Sequence, residues 1–162
     1  MKDMGEMGSD MGIFGKEPSP GREEARLLEE LAEIVGRNQG LVERLKRHAG
    51  IVMKGNIKSG VERLAEKEAA HLKALNAILS DRNVWSRLPE PPAREGANNW
   101  ERLSLDLEVL GALVTALTRV SVEWEAVDQN VAAKLAAIAS EDGELENDLR
   151  KLAIKCDPQA LD

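Results

Sequence analysis

The chain has 162 residues but no tyrosine, a single phenylalanine (Phe14) and a single cysteine (Cys156). Aromatic residues make up only 2%, so a core must be built from Leu, Val, Ile and Ala. A lone cysteine cannot form an internal disulfide, which points to a reducing cytoplasm. No apolar run approaches the roughly 20 residues of a membrane span. The first residues also lack the charged-then-apolar order of a signal peptide. Net charge is -7 with 31% charged residues, and no basic stripe is present. That balance excludes nucleic acid and anionic membrane surfaces as expected partners. Histidine occurs only at His48 and His71. There is no Gly-rich phosphate loop, no Cys-x-x-Cys and no nucleophile elbow. No catalytic residue and no cofactor are therefore expected.

What the chain does have is heptad periodicity. From Leu103, alternate steps of four and three reach Leu107, Leu110, Val114, Leu117, Ser121, Trp124 and Asp128. The same phase continues through Val131, Leu135, Ile138, Asp142, Leu145, Leu149 and Leu152. Such a repeat describes a helix that packs in a coiled-coil-like manner. The spacing predicts one long helix over 98–155, about 85 Å if unbroken. Asn98 is a favourable N-cap, and Glu101 completes a capping box.

Upstream, residues 1–21 read as a disordered leader, with Met1, Met4, Met7 and Met11 as chance residues in it. Ser19-Pro20 suits a helix start. The first apolar face is Leu28, Leu31, Val35, Asn38, Val42, Leu45 and Ala49. Gly50 to Asn56 forms a turn. The second face is Ile57, Val61, Leu64, Glu68, His71, Leu75 and Ile78. Reflection about residue 53 matches the two faces layer by layer, placing Asn38 opposite Glu68. This predicts an antiparallel hairpin over 22–79. Pro89, Pro91 and Pro92 make 80–98 a linker, and 156–162 a tail. The expected fold is all-α. The hairpin packs on the long C-terminal helix in a three- to four-helix, coiled-coil-like bundle forming one domain over 22–155.

Polar residues interrupt the apolar faces. Glu68-x-x-His71 sets both side chains on one helix face, the pair that di-iron bundles use twice. Here the second Glu-x-x-His is missing, and α-helical positions elsewhere supply Asn38 and Asp142 rather than glutamates. The reading preferred from the residues is a structural polar layer of Asn38, Glu68 and His71 that fixes hairpin register, with no metal. In the alternative, a ferritin-like bundle with a degenerate di-metal site, the ligands would be Glu68, His71, Asp106 and Asp142.

A hairpin of this length covers only half of the long helix. The stripe Val131, Leu135, Ile138, Leu145, Leu149 and Leu152 is then left without an evident partner and reads as a protein-binding surface, to be covered by another protein, by a second copy or by the helix folding back near Gly143.

At this point the sequence resembles the FlgN family of cytoplasmic flagellar export chaperones. The resemblance covers about residues 22–153. It rests on Lys54-Gly55-Asn56-Ile57 before Val61-Glu-Arg-Leu64, on Glu66-Lys67 and Arg82, and on Asn130 and Leu135 in the last helix. It implies a non-enzymatic chaperone that holds hook-filament junction substrates through its C-terminal helix. The other readings are the ferritin-like metalloprotein and a homo-oligomeric scaffold, for instance a homodimer. They separate at residues 124–130. A ferritin-like bundle must turn there, whereas a chaperone or scaffold keeps one helix.

Overall fold

The computed structural model describes residues 20–51, 55–87 and 95–161. Most of the expected leader, residues 1–19, lies outside them. The described residues form four α-helices: α1 (Pro20–Ile51), α2 (Gly55–Ser80), α3 (Asn99–Trp124) and α4 (Gln129–Lys155). A short 3-10 turn, Pro158–Leu161, follows in the expected tail, next to the end of α4.

Cross-helix pairs fix the directions. Asn38 meets Glu68, so α1 and α2 run antiparallel, in the register that the reflection about residue 53 sets. Asp106 meets His48 and Glu123 meets Arg26, so α3 runs antiparallel to α1. His71 meets Asp142, and Gly60 lies against Leu152, so α4 runs antiparallel to α2. The order is up, down, down, up. α1 packs on α2 and α3, and α4 packs on α3 and α2. The α2–α4 side is the least closely packed. One long crossover between the second and third helices is the connectivity of ferritin-like bundles.

The described ends of the crossover are held against α1. α2 ends with Asn83 at φ 56°, and the Val84 amide donates to the Leu79 carbonyl at 3.0 Å. That is the left-handed helix stop in which a residue two past the end reaches back a full turn. The Arg87 amide then donates to the Ala32 carbonyl at 3.2 Å. Gly36 makes this approach possible, because a Cβ there would collide with the Arg87 carbonyl. Further along, Glu95 reaches Arg47 near the other end of α1. α3 starts at Asn98, whose side chain accepts from the Glu101 amide at 2.9 Å. Glu101 in turn accepts from the Ala97 amide at 3.1 Å.

The expected single helix over 98–155 is corrected: it is two helices joined by a turn at Glu125–Asp128. Asp128 is in extended conformation, and its side chain accepts from the Asn130 and Val131 amides, capping α4. The heptad phase survives the turn because each helix independently presents a stripe to the same core. Arg82 fastens this corner. It bonds Asp128 at 2.6 Å and Glu24 at 3.2 Å, and its guanidinium sits 5.6 Å from the centre of the buried Trp124 ring. Gly143 does not interrupt α4.

The second correction follows from the first. Once α4 folds back, its stripe has partners. Val131, Leu135, Ile138, Leu145 and Leu149 are buried, and Leu152 is half-buried against the core. These residues are bundle interior rather than an uncovered binding surface. Burying a Leu side chain contributes about 1.5–3 kcal/mol, so the stripe stabilises the fold. The interior of α3 keeps the seven-residue repeat, but every second inward position lies one residue earlier than the sequence face had it. It includes Asp106, Leu113 and Val120, while Leu107 and Val114 are only half-buried.

Candidate metal centre

Two buried polar clusters lie in the bundle. The first is centred on His71. Its Nδ1 is 2.7 Å from Asp142 Oδ1 on α4 and 3.3 Å from Glu68 Oε1 one turn back on α2. Its Nε2 is 2.7 Å from Glu141 Oε1. Glu68 Oε2 accepts from the Asn38 amide on α1 at 2.7 Å. Glu68 and Asp142 are completely buried, whereas Glu141 faces solvent. Asp142 Oδ2 and Asn38 Oδ1 are buried without a hydrogen-bond partner.

The helical periodicity explains the gathering. Glu68 and His71, three residues apart, share one face of α2. The antiparallel register of α2 and α4 brings Asp142 level with them. Buried negative charge is expensive, and the cluster responds by holding protons. Burial pushes Glu68 up to about 8, the neighbouring Asp142 charge adding to the rise and His71 opposing it. Burial opposes charge on His71, but hydrogen bonds to Asp142, Glu68 and Glu141 outweigh it and raise it to about 10.

The chemistry of the donor set suits a divalent cation. One ligand atom from each of Glu68, His71 and Asp142 lies within 4.8 Å of the other two. At bond lengths near 2.1 Å, tetrahedral ligands are about 3.4 Å apart. The Nδ1 to Oδ1 separation has to open only slightly to reach that. With Nδ1 on the ion, the Nε2–H stays on Glu141, a carboxylate that orients a ligating imidazole. The second Asp142 oxygen is buried without a hydrogen-bond partner, and a bound cation would satisfy it.

A two-ion site does not fit. Di-metal bundles need Glu-x-x-His from two helices and a further Glu from each of the others. Three residues after Asp142 stands Leu145, and α1 offers Asn38. The interior of α3 between Asp106 and Ser121 is Leu110, Leu113, Leu117 and Val120.

Asp106, a ligand in the degenerate di-metal reading, is not part of this centre. It belongs to the second cluster, with Oδ2 2.6 Å from His48 Nδ1 and Oδ1 3.1 Å from Arg44 Nε. Glu95 on the crossover lies 3.7 Å from His48 Nε2. This cluster ties α1, α3 and the crossover together. The sequence reading missed it because the phase taken for each apolar face, through Ala49 on α1 and Leu107 on α3, left both His48 and Asp106 off those faces. A wider face on α1, which packs against two helices, would have included His48.

No family model, no curated protein and no solved structure matches the chain. The functional reading therefore rests on the cluster itself. Among the described residues, no helix is long and apolar enough to cross a membrane.

Proposed function

We propose that this protein is a metal-binding four-helix bundle that holds one divalent first-row ion through Glu68 Oε1, His71 Nδ1 and Asp142. The observation that carries the reading is the fully buried Asp142 carboxylate, with one oxygen on His71 and the other unpartnered. Imidazole with two carboxylates is a donor set for Fe²⁺, Mn²⁺ or Zn²⁺ rather than for Cu(I) or Ca²⁺. The up-down-down-up order with one crossover supports the same reading by fold-level analogy to ferritin-like bundles. Of the three ligand residues, His71 also borders a cavity of about 300 Å³ on the α2–α4 side, together with Glu141 and Lys67. No catalytic step is assigned: among the described residues no nucleophile stands beside the cluster with a base to activate it.

The chaperone function implied by the FlgN resemblance is less well supported. It needs an uncovered apolar face on the last helix, and that stripe lies inside the bundle. A reducing cytoplasm remains the compartment we propose, since Cys156 is a free thiol.

Cobalt(II) tests the reading. Titrating Co²⁺ into metal-free protein is expected to produce the visible absorption of a low-symmetry, nitrogen- and oxygen-ligated ion, saturating at one equivalent. His71→Ala is expected to abolish the band. A spectrum that stays that of hydrated cobalt, or that is unchanged in His71→Ala, overturns the proposal.

A further inference from the structure

The α2–α4 side carries a second feature. A cavity of about 450 Å³ runs between the first half of α2 and the last half of α4. It borders the smaller cavity next to His71, with Lys67, Leu145 and Asp148 on both. Its floor is Gly60, Leu64, Leu145 and Leu152, and its walls carry Arg63, Lys67, Lys151 and Lys155. Asp148 is the one acid on those walls, and Glu144 and Glu141 appear only at the His71 end. In a chain of net charge -7, this is a local inversion of sign.

The cations are also uncommitted. Arg26, Arg82, Arg119 and Arg150 all hold carboxylates. None of the four groove cations enters an ion pair among the described residues. Their spacing is regular. Arg63 and Lys67 are one turn apart on α2, as are Lys151 and Lys155 on α4. Gly60 lies level with Leu152, so the four span roughly 15 Å along the groove at 1.5 Å per residue. The far end meets the start of α2, where Asn56 and Ser59 line the cavity and the helix dipole favours anions.

We infer that this groove binds a small molecule carrying two or more phosphate groups. Arg63 suits a phosphate geometrically, because its guanidinium donates in a planar fork, and the lysines add point charges. A single-stranded nucleic acid is disfavoured because no aromatic residue lines the groove to stack a base. The buried leucine floor offers little area to an amphiphile. The inference does not depend on the metal reading, since none of the four cations is a proposed ligand.

Calorimetric titration of metal-stripped full-length protein with sodium triphosphate tests it. Submillimolar binding is expected, weakening as salt is raised. Arg63→Gln/Lys151→Gln is expected to lose roughly 10-fold or more in affinity, because charge-assisted hydrogen bonds are removed. Lys67→Gln/Lys155→Gln carries the same prediction through different positions, with folding of each variant checked by circular dichroism. Lys46→Gln/Lys134→Gln, two exposed lysines off the groove, is expected to bind like wild type. No binding below millimolar overturns the inference. So does equal loss in the Lys46/Lys134 variant, which would mark diffuse attraction, or equal affinity for citrate, which would remove the preference for phosphate.

Discussion

His71 Nδ1 on α2 lies 2.7 Å from Asp142 Oδ1 on α4, joining residues 71 positions apart inside the bundle. That bond closes the least closely packed side of the fold and sets three ligand-type atoms beside one another. The cluster must satisfy two demands. With no ion present it holds protons to limit buried negative charge. With an ion present it gives those protons up.

The first demand predicts a pH dependence for metal-free protein. Glu68 and His71 both bind protons more tightly when folded than when unfolded. The Glu68 contribution is full below its ordinary 4.5 and is lost as pH rises through about 8. That of His71 is full below 6.5 and is lost as pH rises through about 10. The urea midpoint of the metal-free protein is therefore expected to fall as pH is raised from 6 to 9. Glu68→Gln is expected to flatten the lower part of that fall. A midpoint that climbs over this range would contradict the protonation scheme.

The second cluster gives a control. Asp106→Ala leaves His48 and Arg44 facing a vacated site in the interior. Removing one partner of a buried ion pair costs about 3–5 kcal/mol. A large drop in unfolding free energy is expected, with metal stoichiometry unchanged in protein that remains folded. Loss of metal alongside would place Asp106 in the centre after all.

The corner clamp is testable in the same way. Arg82→Ala removes two ion pairs and the stacking on Trp124. Arg82 is only partly buried, so solvent discounts the pairs, and a loss of about 1–2 kcal/mol is expected. Amide exchange is expected to quicken around Asp128 before it does so in the middle of α3. Uniform quickening would deny Arg82 a local role.

Gly36→Ala sets two effects against each other. Ala favours a helix by about 1 kcal/mol, but its Cβ would strike the Arg87 carbonyl, which is backbone and cannot swing aside. Net destabilisation is expected, with faster limited proteolysis in the crossover. A stabilised protein with an unchanged digestion pattern would show that the crossover need not lie on α1.

Much of this fold was legible in the sequence. The pairing of Asn38 with Glu68 followed from a reflection of two apolar faces, because side-by-side helices must match layer for layer. The caps at Asn98 and Asp128 used the same chemistry, but only Asn98 was recognisable. Asp128 fell on the heptad stripe and read as an inward residue, so the chain was carried straight through the turn. That one misreading left the stripe from Val131 to Leu152 seeming uncovered. The Glu68-x-x-His71 pair was visible as a motif, and Asp142 as an inward acid. Their meeting was not visible, because it requires α4 to fold back beside α2. Glu141 was missed because its backbone position is exposed while its carboxylate reaches over to His71.

Metal content after equilibrium dialysis tests the central claim most directly. Metal-stripped wild-type protein is dialysed against Mn²⁺, Fe²⁺ or Zn²⁺, and bound metal is counted per chain beside Asp142→Asn, in which a neutral amide replaces the buried carboxylate. The account predicts one ion per wild-type chain with the best of the three metals, and none in folded Asp142→Asn. Wild-type protein that binds none of them, or a variant that retains the ion, would contradict it.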